Sequence, residues 1–274
     1  MFFSVQSAPT CYHNNLKEID MFDTERSGTG TKEWAEVTEN ICCGCANNCL
    51  YCYAAHNANR FKIRDREEWA REEFTKRANI TNYPAKDGVV MFPSSHDITP
   101  FNVDSYIRVA KLILEKGNLL LIVSKPRLEV IKKVCAGLIH YKKQILFRFT
   151  IGTLKPEVSL FWEPGAPLPN ERVMALEFAQ SAGFNTSVSI EPMLHSWCGA
   201  VDVVDMVDPY VTDTIWIGKM NKPQLRVDKG YHAAVEQVVS LQRDESILKL
   251  VETLKDNPKI RWKDSIKVAI AESR

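Results

Sequence analysis

No stretch of this chain stays apolar for the roughly 20 residues needed to cross a bilayer, so a soluble protein is expected. A charge excess is also missing. The 35 Lys and Arg stand against 34 Asp and Glu, a formal net charge of +1, whereas a protein that grips duplex nucleic acid usually carries a basic surplus or patch. The densest charged run, Arg60 to Arg77 (RFKIRDREEWAREEFTKR), interleaves both signs and reads as the solvated face of a helix. No internal repeat, low-complexity segment or secretory-type start is evident. The 274 residues, 45% of them hydrophobic, are ample for a sizeable core, whether in one large domain or two.

Cysteine, by contrast, is concentrated. Cys45, Cys49 and Cys52 follow the spacing C-x₃-C-x₂-C, with Cys42 and Cys43 just upstream. Three thiolates on one short loop suit three irons of a cubane cluster, leaving the fourth iron open for a substrate or cofactor. Two other readings compete. Cys42-x₂-Cys45 and Cys49-x₂-Cys52 form two thiolate pairs, as a structural zinc site would require, but zinc pairs are usually about a dozen or more residues apart and these are separated by three. Inert buried thiols are the other reading. A disulfide framework fits poorly, because the adjacent Cys42 and Cys43 suit a reduced compartment and hence a cytoplasmic location. The three-cysteine spacing, with Tyr51 directly before the last cysteine, resembles the radical S-adenosylmethionine (SAM) superfamily. That resemblance implies a [4Fe–4S] cluster on Cys45, Cys49 and Cys52, with SAM chelated at the open iron. Reductive cleavage of SAM would then give a 5′-deoxyadenosyl radical that abstracts hydrogen from a substrate, with electrons from a donor such as flavodoxin or ferredoxin.

Downstream, strand-like and helix-like patterns alternate. Strands are expected at Gly88 to Phe92, Leu119 to Val123, Ile145 to Ile151, Thr186 to Ile190 and Thr214 to Gly218, with a weak first strand around Trp34 to Ile41. Between them, Val103, Ile107, Ala110 and Leu114 recur at helical spacing and stop at Gly117. Leu128, Ile131, Cys135 and Leu138 recur in the same way, which makes Cys135 a core residue. A third helix runs from about Asn170 to Ala182. Such βα repeats imply a parallel sheet. An open doubly wound sheet would satisfy the pattern; the cysteine loop after the first strand favours the incomplete (β/α)₆ TIM-like barrel of the radical SAM type. The expected division is an N-terminal segment (1–31), a (β/α)₆ core (32–221) and a helical C-terminal extension (222–274) closing the barrel, with Ser27 to Thr31 as a flexible joint.

Chemistry in parallel α/β folds gathers at the carboxyl ends of strands. After the second strand come Ser94, Ser95, His96 and Asp97. The hydroxyls and carboxylate are candidates for the SAM amino group or ribose, or else ordinary caps of the following helix. Ser124-Lys125 ends the third strand. A lysine leaving an apolar strand needs a partner, and the SAM carboxylate would supply a charge-assisted one. Arg148 and Thr150 share one face of the fourth strand, opposite Phe147 and Phe149; Arg148 is a cofactor candidate or half of a structural ion pair. Glu191 stands at the mouth of the fifth strand. Glu163, in the loop WEPGAP, is either an anchor for Arg172 or a substrate contact, and Lys219 and Asn221 follow the sixth strand.

Taken together, the cysteine loop with Tyr51 and Tyr53, the turn Ser94-Ser95-His96-Asp97, Ser124-Lys125, RFTIGT, WEPGAPLPNER and PKIRWKDSIK resemble the spore photoproduct lyase-like branch, from about Lys32 onward. The resemblance implies that Lys125 and Thr150 contact SAM, that Tyr51 borders the cluster and that Tyr53 lies near the substrate radical path. One departure stands out. Photoproduct lyases return hydrogen from a cysteine in the turn after strand two, and here that turn has no thiol. A hydroxyl is a poor substitute because its O–H bond is stronger than S–H; Cys198, after strand five, is a candidate replacement, though His195-Ser196-Trp197-Cys198 reads as easily as a packed loop. The expected activity is therefore lyase or rearrangement chemistry on a small, nucleobase-derived molecule, such as cleavage of a modified deazapurine. Modification or repair of nucleic acid, and a non-catalytic zinc-stabilised interaction protein, are the alternatives.

Overall fold

The structure, a computed structural model, describes Phe22 and residues 30–273. Most of the expected N-terminal segment and joint therefore lies outside the described residues. In chain order the strands are β1 (Val37–Thr38), β2 (Cys42–Cys43), β3 (Glu73–Phe74), β4 (Val89–Met91), β5 (Leu119–Ser124), β6 (Ile145–Thr150), β7 (Asn185–Ile190), β8 (Ile215–Ile217) and β9 (Ile260–Trp262). The α-helices are α1 (Tyr53–Arg60), α2 (Val103–Leu114), α3 (Leu128–Leu138), α4 (Pro156–Trp162), α5 (Pro169–Ser181), α6 (Trp197–Val207), α7 (Pro223–Arg226), α8 (His232–Leu241), α9 (Asp244–Leu254) and α10 (Asp264–Glu272).

Seven strands form one parallel sheet in the order β1-β4-β5-β6-β7-β8-β9, while β2 and β3 pair as a separate antiparallel ribbon. Alternation of side chains gives the sheet two unlike faces. One carries Val90, Ile122, Phe147, Phe149, Ile190 and Ile217, which share a core with the apolar stripes of α2, α3, α5, α6 and α9. The other carries Val89, Met91, Leu121 and Leu146, which pack on Phe22, Trp34 and Ala35, and beyond them the polar Arg148, Thr150, Ser187 and Ser189. A doubly wound sheet needs helices on both faces. Here the main helical layer covers one face, and the polar face is turned toward the cavity described below. Cys135 lies in the helix-side core, as its spacing predicts. Gly117 and Gly183 adopt φ of +78° and +81°, the left-handed conformation that ends α2 and α5.

Two expectations need correction. Among the described residues the sheet has seven strands rather than about six, because β9 comes from the stretch read as mostly helical. Three residues, Ile260-Arg261-Trp262, are too few to show a period of two. The run Arg60 to Arg77 is not a helix face. The helix α1 ends at Arg60, and two of the later arginines, Arg64 and Arg66, turn inward, while Arg71 and Arg77 stay largely exposed. Arg64 donates to Cys43 O (3.3 Å) and Arg66 to Cys49 O (3.1 Å), so these cations satisfy backbone carbonyls of the cysteine loop rather than water. No helix among the described residues is long and apolar enough to cross a membrane.

The sheet edges are joined by a side chain rather than by strand pairing. Lys263, directly after β9, places Nζ 2.7 Å from Glu33 Oε1 and 3.1 Å from Gly30 O, in the turn that precedes β1.

Candidate active site

The cysteine loop is rigidly stapled. Cys45 N donates to Trp69 O (2.8 Å), Asn48 N to Cys45 O (3.1 Å) and Cys52 N to Cys49 O (3.2 Å). Cys52 also caps α1, its sulfur accepting from Ala55 N at 3.4 Å. The loop after α4 lies against it, with Gly165 N donating to Asn47 O (3.1 Å), and a Cβ at Gly165 would collide with the Ala46 carbonyl. This close approach explains the glycine in WEPGAP.

Cys45, Cys49 and Cys52 all line one cavity of about 390 Å³, within the range of small-ligand sites. Burial pushes the Cys49 thiol up to about 12 while Lys125 pulls it down, and burial with the neighbouring Asp97 also raises Cys45 well above the usual thiol range. Metal ligation requires thiolates, so these sulfurs need added positive charge. Iron would provide it, with Lys125 already in place, and the donor set fits a cluster. The four-cysteine zinc set is not assembled. Cys42 is buried in the helix-side core beside Glu72 and Asn102 and does not line the cavity. Among the described residues no three His, Cys, Asp or Glu side chains are gathered about a single point; in a cubane each thiolate takes its own iron.

Asp97 knots three segments together. Its carboxylate accepts from Lys125 N (2.6 Å), Ser124 Oγ (2.9 Å) and Asn47 Nδ2 (2.8 Å), and the Cys45 thiol lies at 3.6 Å. Burial opposes its ionisation, but Lys125 and these donors outweigh it and hold the carboxyl below its usual range. Ser124 Oγ also accepts from Ile98 N, so both residues fasten the turn after β4 to the end of β5 while lining the cavity. Ser94 and Ser95 line it too. Their backbone amides donate to Asn40 Oδ1 (2.9 and 2.8 Å), and Asn40 Nδ2 donates to Ser94 Oγ (2.8 Å). His96 Nε2 accepts from Ile41 N, and burial lowers its pKa, which makes it a structural acceptor at the cavity wall.

Lys125 projects into the cavity with Nζ 5.6 Å over the Tyr51 ring and 3.8 Å from Glu163 Oε1. Glu163 also receives the Tyr51 hydroxyl and pairs with Arg172 at 2.5 Å, both partners being almost wholly buried. The anchor reading of Glu163 is therefore the observed one. Thr150 lines the cavity, as does Tyr53, whose hydroxyl donates to Ser94 O at 2.5 Å. Glu191 lines it as well, 3.4 Å from Lys263, and burial raises its pKa.

Two candidates lie elsewhere. Arg148 shares the Thr150 face but does not line the cavity. Its guanidinium is 4.9 and 5.2 Å from the rings of Trp34 and Trp216, donates to Ser187 Oγ (2.9 Å) and lies 3.7 Å from Asp213, an internal cation–π and ion-pair arrangement. Cys198 is exposed on α6, outside the cavity. Lys219 pairs with Asp244 at 2.7 Å, whereas Asn221 reaches the cavity wall. Sequence reading missed Thr31, Trp34, Trp69, Met220 and Arg226, all of which line the cavity. The aromatic pair precedes and follows the cysteine loop and offered no periodic signal. Arg226 sits in a four-residue helix that reads as polar loop.

This arrangement, a parallel sheet with one main helical layer and a three-cysteine loop opening on the polar face at the strand ends, is similar in fold to solved structures that include spore photoproduct lyase. Among solved structures, spore photoproduct lyase complexed with dinucleoside spore photoproduct superposes with a TM-score of 0.56 at 14% identity, covering 90% of this chain and 79% of that one. A doubly substituted variant of the same lyase, with bound AdoMet and the dinucleoside photoproduct, gives 0.55 at 15% identity over 90% and 79%. SuiB of Streptococcus suis bound to S-adenosylmethionine gives 0.48 at 12% identity over 67% of this chain, which spans only 41% of SuiB. No protein-family model and no curated protein matches the sequence.

Proposed function

We propose that this chain is a radical SAM enzyme, with an incomplete (β/α)₆-type core over residues 32–221 and an extension, 222–274, that supplies the seventh strand and part of the cavity wall. The observation that carries the reading is a convergence. Three cysteine thiols, an engaged but cavity-facing lysine and several hydroxyls meet in one cavity at the carboxyl ends of β4, β5 and β6. Cys45, Cys49 and Cys52 would hold a [4Fe–4S] cluster, and bound cluster and SAM would together supply a 5′-deoxyadenosyl radical for hydrogen abstraction. Lys125 would take the SAM carboxylate, a reading supported by its contacts with Glu163 and Tyr51 behind it. Thr150, Ser95 and the Ser94 hydroxyl offer neutral donors and acceptors for the rest of the cofactor. Trp34, Trp69, Met91 and Met220 give the cavity apolar walls that keep water from a reactive centre.

The cavity volume suits a small-molecule ligand, and the chemistry proposed on it is a lyase or rearrangement reaction of a nucleobase-like substrate. Among the described residues no thiol apart from the three cysteines of the motif lines the cavity, which weighs against the hydrogen return of photoproduct lyases, as the neutral charge balance weighs against nucleic acid. A cytoplasmic setting with a flavodoxin- or ferredoxin-type donor completes the reading. The test is anaerobic reconstitution with iron and sulfide, addition of SAM and dithionite, and mass spectrometry for 5′-deoxyadenosine. Product is expected from the native chain and from Cys198→Ser, and none from Cys45→Ala. Zinc in place of iron, with no deoxyadenosine, would refute the proposal.

A further inference from the structure

Arg226, the last residue of α7, lines the cavity half-buried. Its guanidinium lies 5.8 Å over the Tyr53 ring and, among the described residues, has neither an ion pair nor a side-chain hydrogen bond. The other buried cations nearby are engaged. Lys125 faces Glu163, Arg172 pairs with Glu163, Lys263 bridges Glu33 and Glu191, and Arg127 donates to Asn47 Oδ1. The two carboxylates on the cavity wall are engaged as well, Asp97 by its ring of donors and Glu191 by Lys263. Glu191 lies near enough for Arg226 to feel its charge, but the lysine already answers it. Arg226 is thus a permanent cation, partly withdrawn from water, whose five N–H donors meet no acceptor among the described residues.

Such a group is matched best by an oxyanion, which accepts two of those donors at once. The Tyr53 ring, fixed by its hydroxyl bond to Ser94 O, holds the guanidinium from one side through cation–π attraction. Cys52 is close enough to act on the charge of Arg226, so an anion bound there is held beside the cysteine loop, where chemistry begins. Resting on the radical SAM reading above, we infer that Arg226 anchors a carboxylate or phosphate group of the substrate, in a subsite separate from that of the SAM carboxylate at Lys125.

Calorimetric titration of the reconstituted, SAM-loaded protein with inorganic phosphate, and separately with acetate, tests this. At least one probe is expected to bind, about ten-fold or more weaker in Arg226→Met, the loss expected for a charge-assisted contact. Arg226→Lys should recover part of the affinity as a point charge. Lys229→Met, which removes an exposed cation nearby, should leave it unchanged. SAM affinity, measured in the same proteins, should be the same in native and Arg226→Met. The inference is overturned if neither probe binds the native protein, if both bind native and Arg226→Met alike, or if Arg226→Met loses SAM affinity to the same degree, which would assign the guanidinium to SAM. A native protein that takes up no iron or binds no SAM would defeat the enzyme reading, while the same titrations would still decide the anion site.

Discussion

Lys263→Met is expected to cost about 3–5 kcal/mol of folding stability, the penalty for removing one member of a buried ion pair, measured as the shift in a urea unfolding midpoint at neutral pH. The side chain of Lys263 is 2% exposed. Its ammonium lies 2.7 Å from Glu33, 3.4 Å from Glu191 and 4.2 Å from the centre of the Trp34 ring. Methionine fills most of the volume but leaves Glu33, whose Oε2 already has no hydrogen-bond partner, as an unanswered buried charge. The turn carrying Gly30 and Glu33 would also lose a tie to the end of β9. The double variant Lys263→Met with Glu33→Gln should recover part of the loss, because the orphaned charge is gone. A Lys263→Met loss under about 1 kcal/mol, the scale of an exposed pair, would show that the edges are held by packing alone.

The same lysine shows where the sequence stopped being legible. The cysteine loop, the strand-end residues Asp97, Ser124, Lys125 and Thr150, and the strands β5, β6 and β7 were readable because each carries a local signal: a fixed cysteine spacing, or an apolar run ending in polar residues. Lys263 carries none. Its partners Glu33 and Gly30 lie more than two hundred positions away, and only folding brings them together. Asn40, Arg64 and Arg66 were unreadable for a related reason, since a polar side chain that satisfies buried backbone looks in sequence like one facing water. Arg148 was misplaced by the opposite fault. Its face was read correctly, but the depth at which Trp34 and Trp216 enclose it depends on a tryptophan before the first strand.

Glu163 is the residue whose loss should reach furthest into the site. It is buried and binds Arg172, the Tyr51 hydroxyl and Lys125 together. Glu163→Ala strands the Arg172 guanidinium, itself 1% exposed, and is expected to cost about 3–5 kcal/mol. The pH dependence follows from the same contacts. Burial opposes ionisation of Glu163, but Arg172 and Lys125 outweigh it and hold the carboxyl below its ordinary value. A carboxyl depressed on folding stabilises the protein above the unfolded pKa of about 4.3, and that contribution is lost as pH falls through the lower folded value. The acid limb of stability should therefore be shallower in Glu163→Gln than in the native chain. Replacing the pair as a whole, Glu163→Leu with Arg172→Met, should restore much of the stability, because no buried charge is left alone. It should not restore SAM binding, since Tyr51 and Lys125 would still lack the acceptor that orients them. If that double variant regains both stability and SAM affinity, Glu163 is an anchor for Arg172 and nothing more. If it regains stability alone, the carboxylate is what holds the cofactor-facing lysine in place.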